Sequence, residues 1–202
     1  MLRVRSKFKI AKRLGAGIYE KTQSQKFVLS EARSQKNKKG GRGRGLSDYG
    51  KQMLEKQKVR YTYGLTEHQF RRYINEAMKV IDSPSAIHAA LELRLDSVVY
   101  RAGLAPTRNA ARQMVGHGHI MVNGRRANTP SMKISINDTF AVREGSKLST
   151  LFAPKEEGVG MAVPTWLSFD SGTLSGKVLA VPQYTAGTAG FDYPTVFEFY
   201  SR

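Results

Sequence analysis

The sequence of 202 residues contains no cysteine, and this absence excludes disulfide bonds and thiolate metal sites. It also lacks any run of about 18 apolar residues, so it predicts no membrane-spanning helix. Its basic first residues have no apolar core of the kind that a secretory signal requires, and an organelle transit peptide stays open as a minor alternative. The composition therefore favours a cytoplasmic chain.

Catalytic patterns are also missing. No phosphate loop of the G-x-x-x-x-G-K-[ST] type and no Ser/His/Asp constellation is legible, so we predict neither an enzyme nor a cofactor. His117 and His119 stand near no carboxylate or cysteine, and the neighbouring glycines indicate a turn. We therefore predict no metal site.

Acidic residues are scarce, with 16 Asp and Glu against 33 Lys and Arg and a formal net charge of +17. The net charge is +14 over residues 1–60, +5 over 61–150 and −2 over 151–202. Charge of this size favours association with nucleic acid. We expect the N-terminal part to provide the main contact with the polyanion and the middle part to provide a weaker one.

Residues 1–45 are predicted to form a basic arm that is flexible without RNA. Within it, residues 35–45 read Q-K-N-K-K-G-G-R-G-R-G, in which glycines let the backbone approach phosphates. A solvated linker is the alternative, but the net charge favours a segment that orders on RNA. The candidate RNA-binding residues of the arm are Lys7, Lys9, Lys12, Arg13, Lys38, Lys39, Arg42 and Arg44.

Capping signals predict helices across residues 46–91. Ser47 is a candidate N-cap of a helix with a basic face, and Thr66 with Gln69 forms a capping-box pattern before an apolar stripe. Ser83 is the predicted cap of a further helix, with Pro84 at its first position. The basic candidates here are Lys51, Lys56, Lys58, Arg60, Arg71 and Arg72.

Residues 94–146 predict a compact α/β unit. The stripe from Leu95 to Ala102 does not reveal whether it continues the preceding helix, and Thr107 caps the next helix. A strand over 119–123, the tight turn at its end and alternating apolar residues over 134–142 predict a short-stranded sheet. After Gly145 the chain predicts extended segments, with a strand at 196–200; alternatively, this apolar end packs back on the helices.

Basic side chains in this unit suit folded RNA. Double-stranded RNA presents phosphates and 2′-hydroxyls across a shallow groove, and the planar fork of arginine bonds phosphate with two donors. Arg94 could instead pair with Asp96 or Glu92 in a structural role. The candidates are Arg94, Arg101, Arg108, Arg112, His117, His119, Asn123, Arg125 and Arg126.

The stretch at 94–101, R-L-D-S-V-V-Y-R, with the later T-R-N-A-A-R-Q-M-V-G-H-G-H-I-M-V-N-G-R-R-A-N, resembles the RNA-binding domain of the ribosomal small-subunit protein four family. L-S-D-Y-G-K-Q-M-L-E-K-Q-K-V-R at 46–60 and E-F-Y-S-R at the end are similar to the same family. Many members hold zinc with cysteines in the arm, and this chain departs from them.

The resemblance implies an α+β fold, in which a mostly helical domain is interrupted by a small α/β RNA-binding domain. The helical domain would comprise 46–91 and about 183–202. The RNA-binding domain would comprise 92–182, with its core at 94–146.

It also implies a ribosomal role: binding the 5′ region of small-subunit ribosomal RNA, early assembly and decoding accuracy. The implied partners are this RNA, neighbouring ribosomal proteins and messenger RNA where it enters, in a bacterial or plastid ribosome. An RNA-modifying enzyme would need a catalytic domain that the length does not allow. A free-standing RNA chaperone or translational regulator stays as the alternative.

Overall fold

The computed structural model describes residue 4 and residues 6–36, 46–152, 163–187 and 190–201. The class is α+β, as predicted. The chain divides into two compact units, which we call the helical unit (Met1–Ile87 with Thr185–Arg202) and the sheet unit (His88–Tyr184). That these units behave as separate domains stays a prediction.

Nearly half of the described residues lie in α-helices. The helices are α1 (Lys7–Leu14), α2 (Gln25–Lys36), α3 (Asp48–Thr62), α4 (Glu67–Ala77), α5 (Ser83–Glu92), α6 (Leu95–Arg101), α7 (Arg108–Gly116), α8 (Glu144–Lys147) and α9 (Tyr193–Tyr200). Short 3-10 turns lie at Ala16–Ile18, Glu20–Thr22 and Thr150–Phe152. The strands are β1 (Ile120–Val122), β2 (Arg125–Ala127), β3 (Thr139–Val142), β4 (Leu167–Asp170) and β5 (Ser175–Val178).

Helices α1 and α2 surround a small apolar cluster in the helical unit. Its buried members are Ala11, Leu14, Ile18, Tyr19 and Phe27, and Leu54 of α3 packs against it. The described residues of the predicted arm are thus mostly helical here. The flexibility of the arm without RNA stays a prediction.

The predicted caps of α3 and α4 are confirmed. The Ser47 hydroxyl accepts a hydrogen bond from the Gly50 N–H, and Thr66 with Gln69 forms the complete capping box. Ser83 is not a cap, because α5 already includes it and the Asp82 carboxylate accepts from the Ser85 N–H. Asp82, one residue before the predicted cap, therefore accepts a hydrogen bond from one of the otherwise unpaired N–H groups in the first turn of α5.

The strand predicted at 196–200 is wrong, because this segment belongs to helix α9. The Asp192 carboxylate caps it through the Thr195 N–H and hydroxyl, and Pro194 stands in its first turn. Five alternating residues are too few to separate the two periodicities, whereas the Asp and Pro favour a helix start. The alternative prediction is confirmed, since α9 packs on α3.

The chain breaks between α5 and α6, so the stretch that periodicity left undecided forms two helices. Leu93 forms a turn there and Arg94 is extended. The Leu93 carbonyl accepts from the Ile134 N–H, and the Leu95 N–H donates to the Met132 carbonyl. Leu93 and Leu95, which flank Arg94 in the chain, are both buried.

The sheet unit is organised around an antiparallel sheet with strand order β2-β1-β3-β5-β4. One face of the sheet carries buried apolar side chains that pack with those of α6 and α7; they include Ile120, Val122, Phe140, Val142 and Val178. Ile134 is buried outside the strands and Ile136 is exposed, so the strand predicted around these two residues is wrong. Asn137 turns the chain there with a φ of 70°.

Within the described ranges, no helix is both long enough and apolar enough to cross a membrane.

Candidate nucleic-acid interface

The break between α5 and α6 brings two carboxylates next to four arginines. Glu92 ends α5, Arg94 is extended in the break and Asp96 stands in the first turn of α6, while Leu93 and Leu95 between them are buried in the core. Helix α7 packs against α6 and presents Arg108 and Arg112 from one face, as their spacing predicted. We call Glu92, Asp96 and Arg94, Arg101, Arg108, Arg112 the arginine cluster.

Asp96 holds two of the guanidinium groups. Arg94 donates through Nε at 3.0 Å and Nη2 at 2.8 Å, and Arg112 donates through Nε at 2.9 Å and Nη2 at 2.8 Å. The Arg94 and Asp96 side chains are each 4% exposed. The structure therefore supports the structural interpretation of Arg94, and its contact with RNA stays a prediction.

Glu92 holds the other two. Arg101 donates to its carboxylate at 2.7 and 2.8 Å, and Arg108 donates at 3.1 Å. Arg108 also donates to the Ser97 hydroxyl at 3.0 Å and lies over the Tyr100 ring at 4.7 Å. Two carboxylates thus serve four guanidinium groups, which leaves a local excess of two positive charges.

The arginine cluster is partly open to solvent. The side chains of Arg101, Arg108 and Arg112 are 33%, 13% and 16% exposed, while the Glu92 side chain is 1% exposed. Three of the four arginines therefore reach the surface, whereas Arg94 and the two carboxylates do not. Thr107 caps α7 by accepting from the Ala110 N–H, as predicted, and the positive end of that helix dipole lies beside the cluster.

His88 borders the arginine cluster from α5. Burial lowers the pKa of this imidazole; the Glu92 charge acts in the opposite direction, and the charges of Arg101 and Arg108 lower it further. His88 is therefore neutral at pH 7, and the positive charge of the cluster comes from the arginines.

A second basic surface lies at the hairpin of β1 and β2. Arg125 and Arg126 are exposed. The Arg126 guanidinium donates to the Gly118 carbonyl at 3.2 Å and to the His117 carbonyl at 3.0 Å. Gly118 has a φ of 71°, and a Cβ there would lie 2.2 Å from Arg126 Nε. A glycine at this position therefore leaves the space that Arg126 occupies.

Asn123 builds the turn of this hairpin. Asn123 and Gly124 have φ values of 49° and 76°, which confirms the predicted tight turn. The Asn123 amide donates to Asp138 at 2.8 Å and accepts from the Thr139 N–H at 2.9 Å. The bond from Asn123, as the largest cause, and a bond from the Ser135 N–H hold the pKa of Asp138 below its usual range. The predicted RNA contact of Asn123 stays a prediction.

The two histidines of the loop differ. His117 is exposed, while the half-buried His119 ring bonds the Ser146 hydroxyl at 3.0 Å and meets Phe152 edge to face. Among the described residues, no group of three or more His, Asp or Glu side chains could hold a metal ion.

The candidates on α3 serve mainly inside the helical unit. Lys56 and Arg60 each donate to Glu67 at 3.0 Å, and Lys58 lies 3.5 Å from Glu55. Lys51 is exposed and pairs with Asp48. Of these four basic residues, Lys51 is thus the most accessible to a partner.

The remaining candidates lie on α1 and α4 or outside the described residues. Lys12 donates to Ser30, and Lys7 lies over the Tyr19 ring at 5.4 Å. Four are exposed: Lys9, Arg13, Arg71 and Arg72. Four lie outside the described residues: Lys38, Lys39, Arg42 and Arg44.

Sequence reasoning overlooked Ser97 and Tyr100, which support Arg108, and Lys133, which is exposed and bridges through its backbone to Arg94. The sequence E-L-R-L-D at 92–96, in which charged residues alternate with leucines, was the local pattern that could have indicated a structural role for Glu92 and Asp96. No local pattern indicated Ser97 or Tyr100, because their roles depend on a residue of the next helix.

The arginine cluster and the hairpin thus place two basic surfaces on one small α/β unit, an arrangement that suits RNA binding. The model of the S4 domain matches residues 93–140, and that of the ribosomal protein S4/S9 N-terminal domain matches residues 3–91. The small ribosomal subunit protein uS4 of Roseiflexus sp. (strain RS-1) is 42% identical over 96% of each chain, and that of Chloroflexus aurantiacus (strain ATCC 29366 / DSM 635 / J-10-fl) is 40% identical over the same share. The corresponding protein of Listeria monocytogenes serotype 4b (strain F2365) is 43% identical over 78% of each chain.

The chain belongs to the family of the small ribosomal subunit protein uS4. It is thus a structural ribosomal protein and not an enzyme, as predicted.

Proposed function

We propose that this chain binds the 5′ domain of small-subunit ribosomal RNA, nucleates assembly of the subunit and supports translational accuracy. The observation that carries the RNA contact is the arginine cluster, in which Arg101, Arg108 and Arg112 reach the surface over buried carboxylates. Arginine forks fixed in this way suit phosphates at defined positions, and this geometry favours folded RNA over a generic polyanion.

The hairpin surface extends this contact. Arg125 and Arg126 are exposed, and Arg126 is held against the carbonyls that precede β1. We propose that the cluster and the hairpin both contact RNA. The exposed basic residues of α1 and the residues at 38–44 supply a further contact that depends mainly on charge.

Family membership and the proposed RNA contact together support the finer roles. We propose that the partners include ribosomal RNA, neighbouring small-subunit proteins and messenger RNA where it enters the subunit. The relatives named above are bacterial, which favours a bacterial ribosome over a plastid one. The accuracy role follows from the same proposal, because a protein beside incoming messenger RNA can influence decoding.

The test measures binding of the purified full chain to the 5′ domain of small-subunit ribosomal RNA and to an unrelated folded RNA of equal length. Affinity is measured across a salt series, since the charge-dependent part of binding falls steeply with salt. A preference for the ribosomal fragment that persists at higher salt is the expected result. Equal affinity for both RNAs, lost together as salt rises, would reduce the chain to a general polyanion binder.

The arginine cluster is tested in the same assay with Arg108→Gln. We expect about ten- to a hundredfold weaker binding, because one charge-assisted contact is lost. Lys177→Gln is the matched control, since it removes one positive charge from an exposed residue of β5 in the same unit. If both variants weaken binding equally, the arginine cluster has no special part in the contact.

A further inference from the structure

Two of the seven acidic residues at 61–150 lie inside the arginine cluster. A buried carboxylate is expensive to remove from water and is tolerated where cations and hydrogen bonds surround it. Glu92 and Asp96 are surrounded in this way, each by two guanidinium groups. These two carboxylates reduce the positive charge at the proposed RNA contact. Electrostatic attraction to RNA therefore does not explain why they lie within the arginine cluster.

The carboxylates give the arginines a fixed geometry instead. Arg101 donates from Nε and Nη2 to the two oxygens of Glu92, whereas Nε and Nη2 of Arg112 both donate to Oδ2 of Asp96. Two bonds to one guanidinium group, parallel or convergent, define its plane and the direction in which its outer edge points. Without such bonds, each long side chain would have to be ordered when RNA binds.

Repulsion between the arginines is a second reason why the carboxylates are needed to hold them in place. Arg94 and Arg112 meet at one carboxylate, and Arg101 and Arg108 meet at the other. Without the negative charges, each pair of cations would separate or turn toward water. The neutral His88 does not replace the missing charge, because it carries none at pH 7.

We infer that Glu92 and Asp96 are positioning residues for RNA binding, an inference that rests on the proposed function. They act through the arginines and do not touch RNA. Removing either negative charge therefore weakens binding, although it makes the protein more basic. Simple charge counting predicts the opposite sign.

The experiment compares Glu92→Gln and Asp96→Asn with Glu144→Gln in the full chain. All three remove one negative charge from the sheet unit, but the Glu144 side chain is 85% exposed and pairs only locally with Lys147 among its described contacts. For the first two variants we expect about tenfold weaker binding to the 5′ domain, because two arginines must be ordered on binding. We expect unchanged or slightly tighter binding for Glu144→Gln.

Salt dependence separates positioning from loss of an RNA contact. In Glu92→Gln the arginines keep their charge, so the slope of affinity against salt is expected to match that of the unmodified chain. Arg108→Gln is expected to lower that slope by about one charge. Binding is measured well below the unfolding temperature of each variant, so that lower stability does not imitate weaker binding.

Glu92→Asp covers the case in which the neutral variants do not fold. It keeps the charge and withdraws the carboxylate by one methylene, so positioning predicts weaker binding and charge counting predicts no change. Tighter binding in the neutral variants, or unchanged binding in Glu92→Asp, would overturn the positioning role. In that case weaker binding of Arg108→Gln would still support the proposed function, and unchanged binding of Arg108→Gln would count against the proposed function as well.

Discussion

Glu67 offers a sharp test of what holds the helical unit together. Its carboxylate accepts hydrogen bonds from Lys56 of α3 at 3.0 Å, Arg60 of α3 at 3.0 Å and the Tyr200 hydroxyl of α9 at 2.6 Å. One side chain of α4 thus joins the preceding helix α3 and helix α9, whose Tyr200 is 133 residues away in sequence. The perturbation is Glu67→Gln, which removes the charge and keeps the shape.

The expected loss of stability follows from these contacts. A hydrogen bond to a charged group contributes about 1.5–3 kcal/mol, and removing one partner of a buried ion pair costs about 3–5 kcal/mol. The Glu67 side chain is 43% exposed, so solvent screening reduces these values, and glutamine keeps one acceptor. A further few tenths come from the lost negative charge in the first turn of α4. We expect a decrease of about 2–3 kcal/mol in the free energy of unfolding.

The assay is thermal and urea unfolding followed by circular dichroism, which reports the helices. A decrease of this size lowers the melting temperature by roughly 5–10 °C in a chain of this length. Trp166 is the only tryptophan and belongs to the sheet unit, so its fluorescence follows that unit separately. Glu76→Gln is the matched control on the same helix, because Glu76 is 62% exposed and lies 3.9 Å from Arg72. We expect less than about 0.5 kcal/mol from it.

The stabilisation by Glu67 is expected to decrease as pH falls. Burial alone would raise the pKa of Glu67, but the bonds from Tyr200 and Lys56 and the charges of Lys56 and Arg60 outweigh it and lower the pKa. This carboxylate therefore contributes stability above pH of about 4.3, and the contribution is lost as pH falls through the lowered value in the folded state. The difference between Glu67→Gln and the unmodified chain should be largest near neutral pH and decrease in acid. A loss no larger than that of Glu76→Gln, or one independent of pH, would refute the reasoning.

Two further predictions concern the sheet unit. Gly176→Ala is expected to destabilise it by about 1–3 kcal/mol, because a Cβ would lie 2.5 Å from the Ser168 carbonyl and 2.6 Å from the Phe140 ring. Urea unfolding followed by Trp166 fluorescence measures this, with Gly116→Ala as a control whose Cβ meets nothing within 4 Å; equal stability of the two variants would contradict it. Asn123→Ala is expected to raise the pKa of Asp138 toward its usual range, because the bond that lowers it most is lost. A carboxyl NMR titration measures this value, and an unchanged pKa would show that the Asn123 bond is unimportant.

The sequence by itself determined the features that depend on neighbouring residues. The caps at Ser47, Thr66 and Thr107 were predictable because each hydroxyl bonds an N–H three residues later. The turn at Asn123 and Gly124 was predictable because few residue pairs tolerate two successive positive φ angles. The concentration of positive charge needs no coordinates at all.

The tertiary structure alone decided which charges meet. Arg112 and Asp96 are 16 residues apart, and Tyr200 and Glu67 are 133 apart, so no local pattern selects either pair. The segment from Tyr193 to Tyr200 alternates like a strand over its last residues, yet it is helical and packs on α3. In each case the deciding free energy comes from burial against residues that are distant in the chain, and a sequence pattern does not contain that term.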